Sequence, residues 1–154
     1  MGAGSKFDSK ISTRGGRSNF VTAEDINSGD SLAKDIIKDM EADDIKFTKD
    51  NIVFAARLEN GVKIFLEEPR IDHIVSRHSG DFKRTFGVSS KDQIKAILTE
   101  TISKGKLISS KTKELAGLTN YSNKYYYKGR YCVVYCIAEN GYITTAYPKS
   151  HGGK

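Results

Sequence analysis

The sequence predicts an α+β fold: helices and a hairpin come first, and a twisted antiparallel β-meander follows. Three observations carry this reading. Apolar residues recur at helical spacing over residues 31–42 and 90–103. Two short apolar runs flank Glu59-Asn60-Gly61, a turn signal. From residue 106 onward, strand-like runs are broken by Lys128-Gly129 and Glu139-Asn140-Gly141.

Taken in order, residues 1–20 are rich in Gly, Ser, Lys and Arg and read as a flexible linker or tail. Residues 21–148 form the single folded domain, and 149–154 a disordered tail. Ser31 is a suitable N-cap for a helix over 31–42 that places Leu32, Ile36, Ile37 and Met40 on one face. Residues 51–58 and 62–67 form a hairpin, and Asn60-Gly61 tolerates the positive φ of its turn. Pro69 closes that unit. A short helix runs from about Ile71 to His78 and stops at Ser79-Gly80. Ser90 caps a second amphipathic helix with Ile94, Ile97, Leu98 and Ile102 inward, and Gly105 ends it. Residues 106–110, 124–127, 130–138 and 142–147 are the strands of the meander, with a looser stretch over 111–123.

Composition bounds the function. At 154 residues the chain is long enough to bury one core. An apolar share of 38% and a mean hydropathy of −0.48 suit a soluble globular protein. No apolar run approaches a membrane span, and no h-region of a signal peptide stands at the start. Cys132 and Cys136 would lie about 13 Å apart on a strand, too far for a disulfide, and read as small buried hydrophobes. Three histidines without a Cys/His cluster at ligand spacing make a structural zinc site improbable. The net charge of +6 is unevenly spread. Residues 21–100 hold twelve basic against sixteen acidic residues, and residues 101–154 hold nine against two. A phosphate-rich partner would meet the C-terminal part.

Cleavage of RNA by its own 2′-hydroxyl needs a base, an acid and a cation for the charge on phosphorus. Histidine titrates near neutral pH and serves both proton roles. His151 falls in the tail, which leaves His73 and His78. In a regular helix His73 and Arg77, four apart, share a face and form the natural pair. His78 shares a different face with Ile74 and joins the pair only if the helix breaks at Ser79-Gly80. Each histidine also admits a plain reading as a hydrogen-bonded core residue. In the last strand, alternation puts Thr145 and Tyr147 on one face with Ile143, and Thr144 and Ala146 on the other. A hydroxyl and a phenol at a sheet's end hold a phosphate or stack a base. Lys83, Arg84, Lys106, Lys128 and Arg130 are candidate RNA contacts, as are Lys104, Lys111, Lys113 and Lys124. Tyr121 and Tyr125–Tyr127 interleave with them.

A strand hairpin, then His73-Ile74-x-x-Arg77-His78 with Asp81-Phe82, an amphipathic helix, and a meander ending Asn140-Gly141-Tyr142-Ile143-x-x-Ala146-Tyr147-Pro148 resemble the barnase/EndoU/colicin/RelE-like ribonuclease superfamily over about residues 50–148. Its small members are common as C-terminal toxin domains of contact-dependent inhibition and other polymorphic bacterial toxins. The resemblance implies metal-independent cleavage of RNA, often tRNA, through a 2′,3′-cyclic phosphate, with no cofactor. It implies a site of the type His73, His78, Thr145 and Tyr147, completed by Arg77 or a lysine. It implies delivery as part of a larger secreted or cell-surface toxin, action in the target-cell cytoplasm, and a cognate immunity protein, with the chain a monomer or a heterodimer with that protein. The EndoU-like histidines are usually farther apart. An RNase A-like toxin and an RNA-binding module without catalysis are the alternatives.

Overall fold

Two antiparallel sheets meet at Phe65. The computed structural model describes Phe7 and residues 9–14, 17–129 and 131–150. A small ribbon, β1 (Thr13–Arg14) with β2 (Arg17–Ser18), precedes the first sheet. That sheet has the order β3 (Phe20–Thr22), β4 (Ile52–Arg57), β5 (Lys63–Glu67). The second is a meander of β6 (Leu107–Leu115), β7 (Leu118–Lys128), β8 (Tyr131–Ile137) and β9 (Ile143–Ser150) in sequential order. Phe65 joins them by a parallel bridge to Tyr142, and its amide donates to the Gly141 carbonyl at 3.0 Å.

The helices cover the sheets where their apolar stripes dictate. After the short α1 (Ala23–Ser28), α2 (Ser31–Ala42) buries Ala33, Ile36, Ile37 and Met40 against Val21, Ala55 and Phe65. Its cap is Asp30 rather than Ser31, because the Asp30 carboxylate accepts from the Ala33 amide at 3.1 Å. Inside the sheet, Arg57 donates to Asn19, Asp35 and Asp39, so its buried charge is neutralised from α2. Helix α4 (Lys91–Lys104) has the expected Ser90 cap, closed into a capping box with Gln93, and the expected left-handed Gly105.

Four expectations need correction. The third helix, α3, runs from Glu68 to Phe86 and does not stop at Ser79-Gly80. An internal glycine costs about 1 kcal/mol, but the added turns bury Phe82 and set Phe86 against Tyr127 and Tyr131. The looser stretch 111–123 is the β6–β7 hairpin, turned at Ala116 and Gly117, both at positive φ. Its apolar period is weak because its inward side is polar: Asn123 is buried and hydrogen-bonds Ser110 and the Phe7 carbonyl. The expected N-terminal tail is folded in its described residues, since Phe7 is buried edge-on against Tyr121 and Ile11 bridges Leu58. Finally, Lys149 and Ser150 extend β9 opposite Cys132 and Tyr131, so the strand outruns its expected end at Tyr147. Residues 151–154, His151 among them, lie outside the described residues.

Candidate active site

Helix α3 runs beside β9, the last strand of its sheet, and covers an edge that pairs with no further strand among the described residues. Arg70 Nε donates to the Thr144 carbonyl at 2.7 Å. Eight residues on, the His78 ring lies on the Tyr147 ring, with centroids 5.5 Å apart and planes inclined by 32°.

The helix's regularity separates the two histidines by about 140°. His78 belongs to the inward stripe with Ile74 and Phe82, both buried. His73 lies on the flank with Arg77 and Arg84, the three within about 40° of one another. The sequence reading ties His78's access to a helix break at Ser79-Gly80. The helix does not break, and His78 reaches β9 all the same, because its stripe is the one packed against the second sheet.

His78 Nδ1 lies 2.9 Å from Asp81 Oδ2, and the other Asp81 oxygen takes Arg84 Nη2. His73 binds its proton less readily than an ordinary imidazole. Partial burial is the main cause, and the positive charges of Arg70, Arg77 and His78 add to it. It is therefore neutral near pH 7 and able to accept a proton.

On β9 a bulge changes the expected alternation. Ile137 pairs with Ile143 while Cys136 pairs with Thr145, so Thr144 is the extra residue. Ile143 joins Ala146 on the core side, where both are fully buried, rather than sharing a face with Thr145. Thr145 and Tyr147 do share the opposite, outer side, beside Cys136 and Val134. The Thr145 hydroxyl is buried without a hydrogen-bond partner among the described residues, a cost that valine would avoid.

The same register assembles the outer side of the whole sheet. Lys111 pairs with Ser122, Lys113 with Asn120, Lys124 with Val134, and Cys132 with Lys149. Four lysines from three strands thus share the side that carries Tyr126, Thr145 and Tyr147, and no acidic residue is paired among them. Lys106 adds its ammonium 5.8 Å from the Tyr126 ring. Burial raises the proton affinity of the Cys132 and Cys136 thiols and of the Tyr147 phenol, while Lys124, Lys149 and Lys113 oppose it at the two thiols. Both thiols are free, and Tyr147 stays a phenol at neutral pH.

The remaining expected contacts are dispersed. Lys128 lies over Tyr127, a residue of the core. Lys83 is exposed, about 140° round the helix from His78. Arg84 is on the His73 flank and engaged with Asp81. Arg130 lies outside the described residues. Among the described residues no three His, Cys, Asp or Glu side chains converge as a metal site, and no helix is long and apolar enough to cross a membrane. The cavity of about 340 Å³ against α2, lined by Ile26, Ile37 and Lys49, holds no histidine.

The sequence reading gives no role in the site to three participants: Arg70, Asp81 and Lys149. The spacings Arg70–His73 and His78–Asp81 are helical neighbours, but a helix read as spanning only 71–78 hides both. Lys149 is assigned to a tail. No protein-family model and no curated protein matches the chain.

Proposed function

We propose that this chain is a metal-independent endoribonuclease toxin domain that cleaves RNA, tRNA in particular. The observation that carries the reading is the seating of His78 on Tyr147 at the rim of a lysine-lined sheet face. It brings an imidazole, a phenol and a cationic surface to one place. An RNA strand laid on that face offers its phosphates to Lys111, Lys113, Lys124 and Lys149 and its bases to Tyr126 and Tyr147.

In this mechanism His73, held neutral, takes the proton of the 2′-hydroxyl. The 2′ oxygen attacks phosphorus, the P–O5′ bond breaks, and His78, entering the step as the imidazolium, gives its Nε2 proton to the departing 5′ oxygen and is left with its proton on Nδ1. The products are a 2′,3′-cyclic phosphate and a 5′-hydroxyl end. Arg77 and the face lysines offset the charge that gathers on the phosphoryl oxygens. The Thr145 hydroxyl, unpartnered among the described residues, and Tyr147 position the substrate.

The resemblance to the barnase/EndoU/colicin/RelE-like superfamily supports the rest: delivery within a larger secreted or surface toxin, action in the cytoplasm of the target cell, and a cognate immunity protein. That protein would be acidic where it covers the basic face. The lysine face alone would suit a module that binds RNA without cutting it, and cleavage separates the two. Purified protein should cut tRNA in EDTA and leave cyclic-phosphate ends, and His78→Ala should abolish cutting. A metal requirement, or full activity of His78→Ala, would refute the mechanism.

A further inference from the structure

We propose that Asp81 is the positioning residue of His78, holding the ring in the tautomer that carries its proton on Nδ1 and leaves Nε2 free. This rests on the ribonuclease reading for its consequence but not for its geometry. Asp81 Oδ2 lies 2.9 Å from His78 Nδ1. A carboxylate in an ion pair can only accept a hydrogen bond, so Nδ1 must donate. Arg84, one turn further along α3, engages the second oxygen of Asp81 and holds the carboxylate in place.

The ring is fixed from its face as well. Tyr147 of β9 lies on it, and Ile74 and Phe82 flank it along the helix. Among the described residues, the charged and titratable groups near it on α3 include Asp81, Arg84 and His73, the last near enough for His78 to lower its proton affinity. From β9 there is the Tyr147 phenol, with the Cys132 and Cys136 thiols behind it. With Nδ1 committed to Asp81, Nε2 is the one ring nitrogen able to exchange a proton with a substrate. An aspartate three residues on in the same helix does this without any long-range contact.

The test reads the tautomer directly, by ¹⁵N–¹H NMR of the ring nitrogens in the intact protein. Neutral His78 should be protonated at Nδ1. Asp81→Asn, whose amide can donate, should move the proton to Nε2, and Asp81→Glu should restore Nδ1. A wild-type ring protonated at Nε2 overturns the proposal, as does an Asp81→Asn ring that keeps its tautomer. If Asp81→Asn fails to fold, the wild-type spectrum still decides. In cleavage assays Asp81→Asn should lower kcat by on the order of a hundredfold or more, with KM changed less than about threefold. Unchanged kcat in an active enzyme refutes the positioning role. Wild-type protein that never cleaves RNA refutes the ribonuclease reading and leaves the tautomer result standing.

Discussion

His78 and Tyr147 are 69 positions apart in the chain, and their rings lie in contact with centroids 5.5 Å apart. One comes from the inward stripe of α3 and the other from the outer side of β9, so the contact exists only where the helix covers the strand's edge. It gives the imidazole a fixed orientation at the border of a cationic face.

If the ring contact orients His78, then its aromatic character matters more than its hydroxyl. Tyr147→Ala should slow single-turnover cleavage by roughly two- to tenfold, since such ring pairs contribute about 0.5–1.5 kcal/mol. Tyr147→Phe keeps the stack and should retain most of the rate. Equal losses in both variants would assign the role to the phenol instead.

His73 is shifted downward, and the sign of its effect follows. The unfolded chain binds this proton more readily than the folded one, so stability contributed by neutral His73 is present above the ordinary imidazole value of 6.5 and is lost as pH falls through the lowered folded value. The melting temperature of the wild type should therefore drop between pH 7.5 and 5.5, and that of His73→Gln should drop less. In cleavage, the acidic limb of the kcat/KM profile should fall below 6.5. Identical melting profiles for the two proteins would show that folding does not lower the proton affinity of His73.

The outer sheet face predicts which lysines bind RNA. In a His78→Ala background, replacing Lys111, Lys113 and Lys124 by Ala should weaken RNA binding and reduce the salt slope by about one for each phosphate left without its lysine. Lys83→Ala, on the solvent side of α3, should leave both unchanged. A filter-binding series in potassium chloride measures this.

Gly141 and Gly61 both sit in Asn-Gly turns at positive φ, but only Gly141 lies against another strand. A Cβ there would collide with the Lys63 carbonyl oxygen, while one at Gly61 would meet nothing. Gly61→Ala should cost the backbone strain alone, about 1–3 kcal/mol. Gly141→Ala should cost clearly more in urea unfolding, because the Phe65–Gly141 junction between the sheets must open.

Legibility in the sequence followed locality. The α4 cap at Ser90, its stop at Gly105 and the Asn60-Gly61 hairpin are decided within a few residues, and they can be read from those residues. The end of α3 is not local. Ser79-Gly80 looks like a stop, yet Phe82 and Phe86 gain more from the core than the glycine costs. The middle of the β6–β7 hairpin, 111–123, reads as loose because Asn123 on its buried side is satisfied by hydrogen bonds with Ser110 and Phe7 rather than by apolar packing.

By itself, then, the sequence determined the α+β class and the identity of the candidate reactive side chains: His73, Arg77 and His78 in one helix, and Thr145 and Tyr147 on one side of one strand. Tertiary structure alone decided which histidine meets Tyr147, that Ile143 turns to the core at the β9 bulge, and that lysines from three strands share one face. Helical and strand periods set directions within an element. Register between strands and the packing of α3 on an edge depend on contacts between residues far apart in the chain, and those are settled only when the core closes.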